Sequence, residues 1–227
     1  GFYAAAGAID AHPALKAAAV LEKMFAKYPD HPGVAHYLIH SYDAPPIAAK
    51  GLPAARKYSG IAPDAPHALH MPSHVFTRVG AWADAVTGNR RSADVAKKDG
   101  NGNEAYHAAD YMVYASLQLG RNKAAREVLA EFDREVKTNP AIFVGPYAVA
   151  TIPARIALER GDWAAAARLA PQGSQFPFVE AITYFARSVG AARRTVFSGS
   201  ARGSGRGGGG GESFRDPIAI CAARASA

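Results

Sequence analysis

The sequence lacks several features that would indicate a function directly. Its one cysteine, Cys221 among 227 residues, excludes an internal disulfide framework and a zinc site built from several cysteines. It contains neither Gly-x-Ser-x-Gly nor Gly-x-x-x-x-Gly-Lys-Ser/Thr, the motifs of nucleophile-elbow hydrolases and phosphate-binding loops. The uncharged run at 139–154 holds three prolines and is too short for a membrane span. We therefore predict no membrane span and no hydrolase of these kinds.

Positive charge is concentrated near the C-terminus. The chain has a formal charge of +7, yet seven arginines and only two acidic residues lie from Arg187 onward. The 19 basic and 17 acidic residues before Arg187 leave the body with a charge of +2. A body so nearly neutral gives no reason to expect a nucleic-acid partner.

The two ends of the chain differ in character from the body. The sequence begins GFYAAAGAID without Met, and we expect that further protein precedes it. Nine of the 22 glycines follow Arg187, so we divide the chain into a helical repeat domain at 1–187 and a Gly/Arg/Ser-rich tail at 188–227. The tail is predicted to be disordered. An RNA-binding segment, a flexible linker and an out-of-frame translation remain open for it, and we favour the last.

A spacing of about 40 residues organises the body. Gly80-x-Trp82-x-x-Ala85 recurs as Gly161-x-Trp163-x-x-Ala166, and Gly120 with Ala125 falls in the same register between them. Each glycine is preceded and followed by a stretch with helical periodicity. Glycine suits the turn because it adopts a left-handed backbone without steric cost. The pattern predicts repeated helix-turn-helix units.

The stretches HPGVAHYLIHSYDAPPIAAKGLPAARKYSGIAPDAPHALHMPSHVFTRVGAW, residues 31–82, and HAADYMVYASLQLGR resemble a bacterial group of tetratricopeptide-repeat (TPR) proteins. The resemblance covers roughly residues 15–186. It implies an all-α fold, a right-handed α-solenoid of stacked helix-turn-helix repeats. It also implies a concave groove, lined by the first helix of each repeat, that binds a protein or peptide. The period here is about six residues longer than the ideal TPR of about 34.

Polar residues recur at fixed distances before the turn glycines. Counting back 13, 10 and 6 residues from each glycine gives the predicted groove lining, of which seven residues are candidates for ligand binding: His67, His70, His74, His107, Asp110, Tyr114 and Arg155. We expect these imidazoles to spread along the groove and to bond to Asp110, Tyr114, backbone or water. The leading hypothesis is a protein- or peptide-binding scaffold with no reaction and no cofactor.

The histidines also support a metal-binding alternative. His36/His40 and His70/His74 are spaced i, i+4, which places each pair on one face of a helix. Four imidazoles of this kind suit a zinc-like ion. The motif HYLIH has Tyr37 where a zinc protease needs glutamate, so peptidase chemistry is unsupported.

Two prolines fall inside predicted first helices. Pro72 and Pro153 each lie eight residues before a turn glycine, and we expect a kink at each because proline removes a helical hydrogen bond.

Overall fold

The computed structural model describes residues 12–203, with side chains described for 13–194. Every regular element in this range is helical, which confirms the predicted all-α class. A short 3₁₀ helix, Ala48–Gly51, lies between the second and third α-helices. The α-helices are α1 His12–Lys27, α2 Pro32–Tyr42, α3 Leu52–Ile61, α4 Pro66–His70, α5 Pro72–Val79, α6 Trp82–Lys98, α7 Gly102–Gln118, α8 Asn122–Glu135, α9 Val144–Glu159, α10 Trp163–Ala167 and α11 Pro177–Gly203.

The predicted turns at Gly80, Gly120 and Gly161 are confirmed. Each glycine has a positive φ, of 78°, 71° and 64° respectively. At each turn the amide after the glycine donates to a carbonyl five residues earlier, as Ala81 N does to Phe76 O over 2.9 Å. This is the Schellman arrangement that satisfies the free carbonyls of a helix end. The helices α5/α6, α7/α8 and α9/α10 are joined in this way.

Two apolar cores support the helices. The first is built largely from α2 to α5, and the second from α6 to α9. Helix α6 contributes to both, since Ala85 belongs to the first core and Ala93 to the second. The fully buried Asn89 lies between them on the same face. A polar layer therefore separates the two cores at this level of α6.

The two internal prolines have different effects. The helical stretch before Gly80 is interrupted at Pro72, so that α4 ends at His70 and α5 begins at Pro72. The Ser73 hydroxyl donates to the carbonyl of His70 over 2.6 Å, which satisfies one of the acceptors left at this break. Helix α9 instead continues through Pro153. Where a kink was expected at each proline, the structure has a break between two helices at Pro72, next to the histidines, and a continuous helix at Pro153.

The tryptophans of the repeated motif are partly buried. Trp82 packs against the first core and meets the Tyr114 ring edge-on, with ring centroids 5.5 Å apart. Trp163 lies beside Gly161, where an added Cβ would come within 3.4 Å of the indole. Both rings therefore lie close to the turns of the repeated motif.

The predicted start of the tail at residue 188 falls inside α11, because this helix continues to Gly203. Alanine and arginine, which favour helices, are frequent between residues 186 and 202. The glycine run from 207 to 211 and the rest of the predicted tail lie outside the described residues.

Helix α7 begins against a backbone that leaves no room for a side chain. A Cβ at Gly102 would lie 1.8 Å from the carbonyl oxygen of Lys137. Gly102→Ala should therefore destabilise the protein by about 1–3 kcal/mol through overpacking, measured by urea unfolding. Gly60→Ala is the matched control, since nothing lies within 4 Å of a Cβ there. It should be neutral or stabilising by up to about 1 kcal/mol. Equal effects of the two changes would contradict this packing.

Candidate functional site

Six of the eight histidines lie next to one another in the folded chain. They come from α2 (His36, His40), α4 (His67, His70), α5 (His74) and α7 (His107). Neighbouring ring centroids are 4.4–6.0 Å apart along the whole group. We call these six residues the histidine cluster.

His70 is fully buried and its orientation is fixed by Asn89. The Nδ1 atom of His70 lies 2.7 Å from Oδ1 of Asn89. The amide nitrogen of Asn89 donates to the carbonyl of Ala85 over 2.7 Å, so its oxygen is the atom that faces the imidazole. An amide oxygen only accepts hydrogen bonds. His70 therefore carries its proton on Nδ1 and has a free electron pair on Nε2.

His74 is oriented in the same way by a carboxylate. Its Nδ1 lies 2.9 Å from Oδ2 of Asp43, whose other oxygen accepts from Nε of Arg78 over 2.9 Å. The contacts with His74 and Arg78 hold the pKa of Asp43 below its usual value despite burial, which acts to raise it. Asp43 is thus an ionised acceptor. It fixes the Nδ1 proton of His74 and leaves Nε2 of that ring free.

The two free nitrogens face each other. Nε2 of His70 and Nε2 of His74 are 3.1 Å apart. With both Nδ1 atoms donating, two electron pairs meet across this gap, and only a cation between them makes the contact favourable: a proton on one ring, or a metal ion shared by both. Burial, together with His107 and His74, lowers the pKa of His70 well below its ordinary value. The protein environment therefore disfavours a proton on His70.

His107 brings a third imidazole to this gap. One ligand nitrogen from each of His70, His74 and His107 lies within 4.8 Å of the other two. The Nδ1 atom of His107 is buried and has no hydrogen-bond partner in the described part of the chain. Buried polar atoms are normally paired. Ligand nitrogens about 2.0–2.1 Å from a tetrahedral zinc ion are about 3.3 Å apart, which is close to the 3.1 Å between the Nε2 atoms of His70 and His74.

The pair on α2 is less constrained. Nε2 of His36 and Nε2 of His40 are 3.0 Å apart, and Nδ1 of His36 lies 3.2 Å from the hydroxyl of Tyr58. A tyrosine hydroxyl can donate or accept, so it does not fix the position of the His36 proton. One neutral ring can then donate to the other, and an ordinary hydrogen bond accounts for the contact. The structure thus brings the predicted metal ligands together but distinguishes the two pairs.

His67 lies at the edge of the cluster and faces a carboxylate. Its Nδ1 is 3.6 Å from Oε2 of Glu104, and half of its side chain is exposed. The contact with His67 lowers the pKa of Glu104, and the nearby His107 acts in the same direction. His67 is therefore positioned to contact solvent or a ligand.

The remaining predicted site residues form a separate group beside the cluster. Arg155 donates from Nε to Oδ1 of Asp110 over 3.1 Å and from Nη2 to Oδ2 over 3.3 Å. The guanidinium also lies 4.8 Å from the centre of the Tyr114 ring. The expected bonds from the imidazoles to Asp110 and Tyr114 are therefore absent among the described contacts, because both residues contact Arg155 instead. His70 bonds to Asn89, and His74 bonds to Asp43. Asp110 lies on α7 and Arg155 on the adjacent helix α9, so the carboxylate can accept hydrogen bonds from the guanidinium.

Three residues of the site were missed by the sequence analysis. Asp43 follows α2 directly, three residues after His40, and a carboxylate so close to HYLIH was an available signal. Asn89 was visible as a polar residue on the apolar face of α6. The ring of Tyr111 packs against His70, His74 and His107, and only the packing of α4, α5 and α7 brings it there.

No family model, curated protein or solved structure matches the chain. Among the described helices, none has the length and apolar character needed to cross a membrane.

The cluster predicts that stability depends on pH. Burial and neighbouring imidazoles lower the pKa of His36 to about 4, and burial is the main cause of lowered pKa values at His40, His70 and His107. Between these values and the ordinary 6.5 the unfolded chain binds more protons than the folded one, so stability rises with pH. The metal-free protein should therefore lose free energy of unfolding as the pH falls from about 7 to about 5.

Urea unfolding at fixed pH measures this dependence. His36→Gln should reduce the change of the free energy of unfolding with pH, because it removes one imidazole whose pKa is lowered in the folded protein. His31→Asn is the control, because Asn keeps the N-cap acceptor that His31 provides to Val34. An unchanged slope in His36→Gln would contradict the assignment.

Proposed function

We propose that this protein binds a divalent transition-metal ion through His70, His74 and His107. The observation that carries the proposal is the convergence of two free Nε2 atoms, each fixed by an acceptor on its Nδ1, with a third imidazole that is partly buried. Metal-bound histidines ordinarily donate their second ring nitrogen to a carboxylate or carbonyl oxygen. Asp43 and Asn89 supply such acceptors.

The three imidazole nitrogens restrict which metal ions this site can bind. Three neutral imidazoles suit zinc, copper or nickel and are poor ligands for magnesium or calcium, which prefer oxygen. Three protein ligands leave one position of a tetrahedral ion open for water or a ligand, as in catalytic zinc sites. His36 and His40 lie beside this centre, and in this proposal they are not among its ligands.

Metal titration tests the proposal. The EDTA-treated full chain should bind one zinc ion with sub-micromolar affinity, measured by calorimetry and elemental analysis. His74→Gln and His107→Gln should each abolish tight binding, because each removes one of three ligands. Asp43→Asn should weaken it by about 10–100-fold, the usual effect of changing an outer partner. Circular dichroism establishes that each variant is folded.

His31→Asn, outside the cluster, should bind zinc like the wild type. Absence of zinc binding would refute the proposal, and so would tight binding retained in both His74→Gln and His107→Gln. Loss of binding only in His36→Gln and His40→Gln would move the site to α2.

A second candidate is a binding scaffold, a right-handed TPR-like solenoid whose groove holds a protein or peptide. It is supported by the three helix-turn-helix units with Schellman turns and by the resemblance of residues 31–82. His67, Tyr114 and Arg155 would contact the partner in this groove. Such binding needs no ion.

A partner of this kind should bind the full chain in the presence of EDTA. After identification by mass spectrometry, the purified partner should lose at least about tenfold in affinity for His67→Ala, since this half-exposed side chain would contact it. His31→Ala is the matched control. Binding that requires zinc, or equal affinity for His67→Ala and wild type, would argue against the scaffold.

A further inference from the structure

A cavity opens beside the three-histidine centre. It has a volume of about 560 Å³, within the range of small-molecule sites. Two of the proposed metal ligands, His74 and His107, form part of its wall. A ligand in this cavity would therefore lie next to two of the three proposed metal ligands.

The charged groups of the cavity balance one another before an ion is bound. Its wall contains Asp43, Arg78, Asp110 and Arg155. These form two ion pairs, Arg78 with Asp43 at 2.9 Å and Arg155 with Asp110 at 3.1 Å. A divalent ion held by neutral imidazoles adds two positive charges to this balanced wall. The loaded cavity then favours an anion.

Part of the cavity wall is aromatic. Phe143, Tyr147 and Phe178 line it, together with Tyr114. Phe143 and Phe178 are 53% and 45% exposed, with ring centroids 6.2 Å apart. Large apolar side chains with this exposure at a concave site are typical of surfaces that a ligand covers. The wall therefore suits a ring or another apolar body.

The segment that carries Phe143 is held in place by a buried side chain. The amide nitrogen of Asn103 donates to the carbonyls of Asn139 and Ile142, each over 3.1 Å, and its oxygen accepts from the backbone of Asn139 over 2.6 Å. This fixes the segment between α8 and α9 against the start of α7. The backbone that carries Phe143 is thus fixed before any ligand binds, which lowers the entropic cost of binding.

We infer that this cavity binds a small organic carboxylate with an aromatic or similarly apolar body, its carboxylate taking the open position of the metal ion. The inference rests on the proposed metal function. The carboxylate meets the ion held by His70, His74 and His107, and the apolar body packs against Phe143 and Phe178. Tyr111 also lines the cavity, and its ring packs against all three proposed ligands.

Benzoate and acetate are matched probes, because they share the carboxylate and differ in the ring. The full chain is loaded with Co²⁺, whose visible spectrum reports a change of ligands. Benzoate should alter the spectrum and bind at least about tenfold more tightly than acetate. The Phe143→Ala/Phe178→Ala double variant should bring the two affinities close together while leaving the affinity for Co²⁺ unchanged. Phe185→Ala is the control, since this exposed ring is not in the cavity wall and should preserve the preference.

The outcomes separate the two proposals. If Co²⁺ does not bind, both the metal function and the carboxylate site are refuted. If Co²⁺ binds but benzoate leaves the spectrum unchanged, or binds no better than acetate in the wild type, only the carboxylate site is refuted. A preference for benzoate over acetate that persists in the Phe143→Ala/Phe178→Ala variant also refutes the carboxylate site. The peptide Gly-Gly-Gly-Phe tests the source of the carboxylate: tighter binding than benzoate would assign the cavity to a peptide C-terminus and overturn the small-molecule assignment.

Discussion

The proposed metal site depends on one constraint, which is the fixed position of the Nδ1 protons of His70 and His74. Asn89 can present only its oxygen to His70, because its amide nitrogen is bonded to the helix backbone at Ala85. Asp43 can only accept from His74. Both rings must therefore turn a free electron pair toward the same gap. The preference of this gap for a cation follows from this arrangement, and the proposed metal site adds the neighbouring His107 to it.

Such an arrangement is costly in purely structural terms. His70 and Asn89 are fully buried, and a buried polar side chain stabilises a fold only when its hydrogen bonds are complete. An apolar pair of similar size at these positions would join the two cores across α6 without that requirement. In the proposed function, the polar layer at this level serves to orient His70 for metal binding. The lowered pKa of His70 keeps its ring neutral, which is the form that binds a metal.

The parts of this structure that could be predicted from sequence are those governed by local rules. The glycines at 80, 120 and 161 end helices because left-handed backbone favours glycine. Both Pro72 and Pro153 lack an amide hydrogen, but only at Pro72 is the helix interrupted, so the local rule does not separate the two. The spacing of His70 and His74 likewise predicts one helix face. Their partners Asn89 and Asp43 are 19 and 31 residues away, and only the packing of α6 and α2 against α4 and α5 brings them into contact. The periodicity of the helices that precede the turn glycines could not predict that Asp110 would form an ion pair with Arg155.

The distribution of charge around the cluster bears on what a bound ion could do. The carboxylates Asp43 and Asp110 contact His74 and Arg155, so in the proposed site they influence the ion through its ligands and surroundings. An ion bound only by neutral imidazoles keeps its full charge and polarises a water molecule or a carboxylate more strongly than one with anionic ligands. Direct coordination by either aspartate would break an existing ion pair. The three-histidine arrangement therefore favours an ion that remains able to attract an anionic ligand from the adjoining cavity.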